Sequence, residues 1–497
     1  MRSWWNWQTR YFEGVVRVFS CEFKSHRPHH QLEITARYDP GFYYMVKEVN
    51  TLSEAISYHQ QQEILHDTFA EIGKKTELVL SIGQLLMENG ADTIRIIRDM
   101  KRVAAYMGIR EDQFNLHIMY TTLMLNISDE DHSYTDFRKC HKHAVDMRII
   151  HAVSKLTWRA LRDHYTLEEF EDNLKNIEQR AKCYPEWLVV LSTGLACGGI
   201  SALFGCDIAA FFYTTVCSIL GKVVQIICTR MGINAYANVA FAAFTATTAA
   251  YFAHFLPTAT PWHPIIATTL FLTPGIPLIN SVSDLINTLL ISGVARSVHT
   301  LLIVGGMSFG IVFAIGLLNV ETFTNLQTAP VNNYLIFAFG SAVGAIGFSV
   351  MFNLPPRLLF AAGIGGVIAV CTRNFCIFEL HQSAVMGTFI GATLVGVIAV
   401  KAIHWLHAPT QVLIVPAVIP LIPGVLIYRL LFAIINIRDL NTDELLNAVQ
   451  NGVDAVLIIL GIAIGAAMPS IFANRAFERR KREQQERLLN EAYETDD

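Results

Sequence analysis

Leu272-Thr273-Pro274-Gly275-Ile276-Pro277-Leu278-Ile279-Asn280 and Leu421-Ile422-Pro423-Gly424-Val425-Leu426-Ile427-Tyr428-Arg429 carry one pattern, P-G-[IV]-x-[LI], inside two apolar runs. Each run is the fourth in a set of five. Proline lacks an N–H and its ring clashes with the preceding turn, so a helix kinks or breaks there. In hydrocarbon the freed backbone groups must be buried in protein or line a water-filled cavity. The N-terminus of the half-helix that follows carries partial positive charge and suits a carboxylate. A five-span unit is odd, so two in tandem sit in opposite orientations and form an inverted repeat. One Pro-Gly pair would mean little, since proline kinks are common in membrane helices. Two at matched positions favour a transport role over kinks alone.

Working outward, the runs fall near 187–204, 208–228, 235–256, 264–282, 298–318, 334–352, 356–372, 383–404, 411–428 and 453–472. Each is close to the ~20 residues that cross ~30 Å of hydrocarbon. Composition agrees: 52% of the 497 residues are hydrophobic and 16% are charged, against about 25% charged in soluble domains. The expected fold is an all-α polytopic membrane domain of about ten helices in two inverted five-helix repeats (186–320 and 321–473). Pairs such as Gly194/Gly198, Gly340/Gly344, Gly387/Gly391 and Gly461/Gly465 sit at GxxxG spacing and predict close helix packing. The net charge of −4 gives no basic field for nucleic acid.

Before Pro185 the character differs. Residues 1–44 fit no periodicity and read as disordered or as an over-extended start, with Met45 as an alternative initiator; no secretory signal peptide is evident. Residues 45–185 read as a cytosolic α/β domain. Helical spacing runs from Thr51 to Met107, with Leu78, Ile82, Leu85 and Leu86 on one face. Alternation predicts strands at Phe114–Ile118 and Leu123–Ile127. Asp146 is placed to cap a helix, and Thr166 with Glu169 forms a capping box. Residues 474–497 form a charged tail expected to continue the last span as a helix. Its Arg475, Arg479, Arg480, Lys481, Arg482 and Arg487 argue for a cytoplasmic C-terminus and, with ten spans, a cytoplasmic N-terminal domain in the cell (inner) membrane. Arg230, Arg296, Arg357 and Lys401 agree with that orientation, while Arg373, Arg429 and Arg438 do not.

Ionisable groups at bilayer depth cost about 2.5–3.5 kcal/mol by insertion scales and usually face a cavity or partner. Asp284 and Asn280 lie on one face at i, i+4 beyond the first break. Asn280 is the candidate for substrate polar groups, and Asp284 for an ammonium or the coupling proton, against a cap at the membrane edge. Lys222 is free to pair with Asp284 or meet a carboxylate, with snorkelling favoured. Arg296 and Arg429 are candidates for a substrate carboxylate or for headgroups. Asn234 and Asn238 read as a cap and interhelical hydrogen bonds before cavity liners. His254, His299 and His404 read as packed or interfacial residues before a proton relay. Glu88 and Asp92, at i, i+4, are placed on one helix face. His141-Lys142-His143 reads as a surface strand; no metal site is expected. Of nine cysteines, Cys371 and Cys376 are read as free thiols before a disulfide.

TPGIPLINSVSDL (273–285), followed by Ser292-Gly293 and Arg296, resembles the signature of the bacterial threonine/serine exporter family. Glu88-Asn89-Gly90-Ala91-Asp92-Thr93 with Arg95 is similar to that family's E-x-G-A-[ED]-T motif, and IPGVLIYR to the matching motif of its second half. The likeness spans about 60–472, with both halves fused where some bacteria carry two polypeptides. It implies proton-driven export of small amino acids, with some split members linked to dicarboxylates. The substrate-binding candidates are then Pro274, Gly275, Pro277, Asn280, Asp284, Lys222, Pro423, Gly424 and Arg429. Asp284 is the proton-coupling candidate, and Glu88, Asp92 and Arg95 are a candidate cytosolic gate.

Other classes are weaker. No Walker A sequence occurs, so direct ATP use is not expected. No HExxH is present, and no catalytic residue or cofactor is expected. A dicarboxylate exporter, or a passive channel or scaffold subunit, remains the alternative. The expected partners are a small-molecule substrate, protons and the bilayer; a homo-oligomer is compatible with all of this.

Overall fold

The computed structural model describes residues 71–128, 133–141, 143–163, 165–318, 332–406, 408–435, 437 and 441–494. The expectations for residues 1–44 and for helix before residue 71 lie outside them. Helix α1 (71–88) and α2 (Thr93–Tyr106) pack on a three-stranded antiparallel meander of β1 (Phe114–Met119), β2 (Thr122–Ser128) and β3 (Ser133–Lys139). Register pairs Leu116 with Leu125 and Ile118 with Leu123. Leu123 and Leu125 are fully buried on the helix-facing side. The approach is close, since a Cβ on Gly83 of α1 would lie 2.8 Å from Leu123 Cδ1.

Two helices close this part. In α3 (Met147–Asp163) the Asp146 carboxylate accepts from Arg148 N and Ile149 N, at 3.0 and 3.2 Å, as the capping pattern predicts. In α4 (Leu167–Gln179) Thr166 and Glu169 form the expected reciprocal capping box.

The remaining described residues are mainly helical: α5 (Glu186–Leu203), α6 (Ile208–Arg230), α7 (Ala235–Ala253), α8 (His263–Ala267), α9 (Gly275–Ile286), α10 (Leu290–Leu317), α11 (Tyr334–Met351), α12 (Leu359–Phe378), α13 (Ala384–Leu406), α14 (Thr410–Val418), α15 (Gly424–Ile435) and α16 (Thr442–Glu494). Seven of these stretches are long and apolar enough to cross a membrane: α5, α6, α10, α11, Pro356–Phe378, α13 and Thr442–Pro469. An eighth is His263–Leu272 with Gly275–Ile286, if this pair, bent by 60°, is one span. The other two expected segments, α7 and α14–α15, are helical but fall short of those criteria. The chain is therefore a multi-pass membrane protein with a small α/β part. As expected, α16 runs unbroken into the charged tail.

Both Pro-Gly sites interrupt helix in the same way. A 3-10 turn (Leu270–Leu272, then Ile419–Leu421) leads into each. Thr273 N donates to Leu270 O, and Gly275 N to Thr273 O at 2.8 Å; Ile422 N donates to Ile419 O, and Gly424 N to Ile422 O at 2.9 Å. Pro274 has φ −78° and ψ 62°, the inverse γ-turn that a proline ring favours.

The two breaks also touch each other reciprocally. A Cβ on Gly275 would collide with Ile422 Cδ1, and one on Gly424 would lie 2.9 Å from Thr273 Oγ1. Helices α5 and α11 behave likewise. A Cβ on Gly199 would be 2.7 Å from Gly340 O, one on Gly340 2.6 Å from Gly199 O, and one on Gly347 2.5 Å from Ser192 O. Rising numbers on one helix meet falling numbers on the other, so the pair is antiparallel. Each of the GxxxG pairs named above has at least one glycine at such a close approach, while Gly344 and Gly461 are in ordinary van der Waals contact.

Two details differ from expectation. α1 ends at residue 88, and Gly90 has φ +84°, a left-handed conformation that glycine adopts without strain. Glu88 and Asp92 therefore do not share a helix face. His141 and His143 follow β3 rather than forming strand. Cys371 and Cys376 lie within α12 and are free thiols, as expected.

Candidate functional site

The turn between α1 and α2 is the centre of the α/β part's contact with the membrane helices. Its geometry explains the E-N-G-A-D-T sequence position by position. Glu88 Oε1 accepts from His141 N at 2.9 Å, tying the end of α1 to the chain after β3. Gly90 reverses the chain and turns its carbonyl outward, where Asn280 Nδ2 (3.0 Å) and Gln411 Nε2 (3.4 Å) donate to it. Ala91 O accepts from Arg296 Nη1 at 3.4 Å. Asp92 caps α2 by accepting from Arg95 N at 2.8 Å. Thr93 Oγ1 donates to Asp284 Oδ2 at 2.8 Å.

On the membrane side, α9 and α10 form a hairpin through Thr288 (φ 63°). The hairpin sets Ser292 and Arg296 opposite Asp284. Ser292 Oγ donates to Asp284 Oδ2 at 3.2 Å, and Arg296 Nε lies 3.2 Å from the same oxygen. Asp284 and Arg296 are 1% and 2% exposed, so this is a buried ion pair of the kind that needs further hydrogen bonds to offset desolvation. Arg296 is also held by Thr93 Oγ1 (3.3 Å) and Met87 Sδ (3.5 Å), and lies over the Tyr120 ring. The Nε–H does not point at the carboxylate, however. Asp284 Oδ1 and Arg296 Nε, an acceptor and a donor, are both buried without a hydrogen-bond partner among the protein's described groups.

A second layer joins the halves. Gln411, which opens α14, accepts from Arg95 Nε (3.2 Å) and donates to Asn280 Oδ1 (3.4 Å). Burial, then neighbouring Arg98, lowers the Arg95 pKa against the pull of Asp92 and Asp99. Beside Arg296, Tyr120 stacks on His143 with centroids 4.1 Å apart, and His299 Nδ1 lies 2.9 Å from Tyr236 Oη. Burial first, opposed by Arg296, pushes the Tyr120 phenol up to about 12. Burial, then His299 and Arg296, against an opposing Glu88, brings His143 down to about 4.

That shift gives a pH prediction. An undocked His143 titrates near 6.5, so the undocked state binds more protons between pH 6.5 and 4. Docking is then complete above 6.5 and weakens as pH falls through that window toward 4. Hydrogen exchange of residues 114–128 and 140–146, corrected for intrinsic rates, should quicken from pH 7 to pH 5. In His143→Gln the change should flatten; an unchanged pH response in that variant would refute the assignment.

The sequence-level candidates divide. Asn280, Asp284, Arg95 and the Asp92–Thr93 corner converge, and Glu88 anchors the corner from behind. Pro274, Gly275, Pro423 and Gly424 form the crossed breaks, with Pro277 in the first turn of α9. Lys222 does not pair with Asp284: its Nζ donates to Gln225 Oε1 at 2.8 Å and lies 6.0 Å from the Phe271 ring, beside the first break. Arg296 takes the place at Asp284 that sequence reasoning offered to Lys222, and it is buried rather than at headgroups. Arg429 is half-buried in α15. Asn234 caps α7, Asn238 donates to Thr229 Oγ1 (2.8 Å), and His254 packs on Trp262. The His404 side chain lies outside the description. Sequence reasoning gave no role to Gln411 or Tyr120; a lone amide opening an apolar run was the available signal for Gln411. Among the described residues no three His, Cys, Asp or Glu side chains converge as a metal site.

Comparison with known proteins bears on this arrangement. The family profile described as "Putative threonine/serine exporter" matches residues 77–318, and the one described as "Threonine/Serine exporter, ThrE" matches 337–472. The "Probable succinate transporter subunit YjjP" of Escherichia coli (strain K12) is 27% identical over 251 residues, 48% of this chain and 93% of that protein. The "Probable threonine/serine exporter" of Mycobacterium tuberculosis is 20% identical over 415 residues, 80% of this chain and 77% of that protein. No solved structure matches the chain. The first profile ends on α10 and the second begins on α11, so each part carries one Pro-Gly break. The chain belongs to the threonine/serine exporter family, a family of transporters rather than enzymes, with its two parts fused in one polypeptide.

Proposed function

We propose that this chain exports small polar metabolites, threonine and serine foremost, in exchange for protons. The observation that carries the proposal is the buried Asp284–Arg296 pair, with an acceptor and a donor left unpaired side by side. A zwitterionic amino acid bears the complementary groups, its ammonium for Asp284 and its carboxylate for Arg296. A proton on Asp284 would compete with the ammonium for one carboxylate, which is what exchange requires. Asn280 and Gln411 offer neutral polar contacts. The breaks at Pro274-Gly275-Ile276-Pro277 and Pro423-Gly424 supply the bend, with Lys222 and Arg429 flanking them. Glu88, Asp92 and Arg95 hold the Gly90–Thr93 corner over the pair as a gate.

The membrane domain is read as ten spans in two inverted five-span repeats. The matched breaks, their reciprocal contact and the antiparallel α5–α11 pair support that reading. Arg296 and Arg357 lie on the face that the α/β part covers, and the basic tail follows the last span. Both support an inner-membrane orientation with cytoplasmic termini.

The test is efflux of labelled threonine, serine and succinate from proteoliposomes with and without an imposed pH gradient. Gradient-stimulated efflux of threonine or serine is the expected result; no stimulation for any substrate would defeat the proposal. A second reading, dicarboxylate export, has its own support in the likeness to the protein named a succinate transporter subunit, and in two buried guanidiniums at the site, Arg95 on Gln411 and Arg296 on Asp284. Stimulation of succinate alone would select it.

A further inference from the structure

Away from the Asp284 site, a group of cations stands where the α/β part meets the membrane helices. His151, Lys155 and Arg159 lie at i, i+4 and i+8 on α3, one stripe of that helix. Arg357, in the loop between α11 and α12, has Nη2 at 2.5 Å from His151 Nε2. A guanidinium only donates, so this imidazole nitrogen accepts and the ring is neutral with its proton on Nδ1. That Nδ1 is buried and has no partner among the described groups. The residue holding Arg357 thus brings no negative charge.

The surroundings are cationic too. Burial, then Arg357 and Lys155, holds His151 down to about 4. Arg159, then burial and Arg357, lowers the Lys155 pKa. The acids nearest in sequence are engaged elsewhere: Asp146 with Arg148 and Asn353, and Asp163 with Arg162. Lys155, Arg159 and Arg357 are all exposed.

Aromatic residues mark the depth. Phe360, in the first turn of α12, is 77% exposed, and Trp187, in the first turn of α5, is 67% exposed. Tyr184 Oη donates to Leu354 O at 2.7 Å, which joins the start of α5 to the same loop. Exposed aromatics at the ends of membrane helices sit at headgroup level. The cations therefore stand at the boundary between water and hydrocarbon, with apolar surface directly below.

We propose that Lys155, Arg159 and Arg357 form a binding site for the phosphate headgroup of an anionic phospholipid, whose acyl chains run along Phe360 and the start of α12. Three cations converging without a carboxylate among the described residues account for the anion; exposed apolar surface beside them accounts for a lipid rather than a free phosphate. The lipid would bridge α3 to the membrane helices at the place where Arg357 already touches His151.

The purified full chain is titrated in detergent with fluorescent phosphatidylglycerol and, separately, with phosphatidylcholine of the same acyl length. Wild type should prefer phosphatidylglycerol by about tenfold or more, as a few cations near an anionic headgroup imply. Lys155→Gln/Arg159→Gln, at exposed positions, should lose most of that preference, whereas Lys155→Arg/Arg159→Lys should keep it. Arg357→Gln alone should reduce it if the double variant fails to fold. Equal affinity of wild type for the two lipids would overturn the proposal, as would a preference that the Gln variants leave intact. Displacement of the lipid by millimolar glycerol 3-phosphate would assign the cations to a soluble anion and overturn it as well.

Discussion

Asp284→Asn should cut pH-gradient-driven threonine efflux by more than about tenfold, a loss worth roughly 1.4 kcal/mol of barrier. The substitution keeps size and polarity but removes the titratable group and leaves Arg296 buried without its counter-charge. Breaking a buried pair by removing one partner costs about 3–5 kcal/mol of stability, so a fall in efflux could reflect misfolding. The double variant Asp284→Asn/Arg296→Gln separates the two effects. With both charges gone its thermal stability should recover relative to the single variant, while efflux stays low. Wild-type gradient-dependent efflux in Asp284→Asn would exclude the proton role. Recovery of efflux in the double variant would reduce the pair to a structural one.

The second large effect is on assembly. Gly199→Leu should lower the apparent Tm of the detergent-solubilised chain by at least about 5 °C, as the upper end of overpacking costs implies. Even a Cβ at this position lies 2.7 Å from Gly340 O and 2.9 Å from Gly344 N. These obstacles are backbone and cannot rotate away. Gly305→Leu is the matched control, because nothing lies within 4 Å of a Cβ there. If the two variants melt alike, the close α5–α11 approach is not what holds these helices together.

Much of the architecture was legible because the bilayer leaves few options. Apolar runs of spanning length could only be helices, and proline in two of them could only interrupt hydrogen bonding. The caps at Asp146 and Thr166 were legible because they act within a few residues. Contacts set by distant parts of the chain were not. Glu88 and Asp92 have helical spacing, and only the positive φ of Gly90 removes them from a common face. Asp284 and Arg296 are brought together by a hairpin whose turning residue is Thr288, a type that rarely adopts positive φ. Strand β3 was missed because Ser133-Tyr134-Thr135-Asp136-Phe137-Arg138-Lys139 has polar residues on both faces, and it is an edge strand with little to bury. Gln411 acquires its meaning only from Gly90, Arg95 and Asn280, none of which is near it in sequence.

The crossed breaks have a mechanical consequence. Gly275 bears on Ile422, and Gly424 bears on Thr273, so each bend is the other's fulcrum. Turning the half-helix that carries Asp284 would drive the Gly275 edge into the other bend or open a gap beside it. Neither is stable for long in a packed interior. The two bends are therefore meshed like gears, and a stroke begun by charge at one end of the first half would be delivered to the second without a separate linkage.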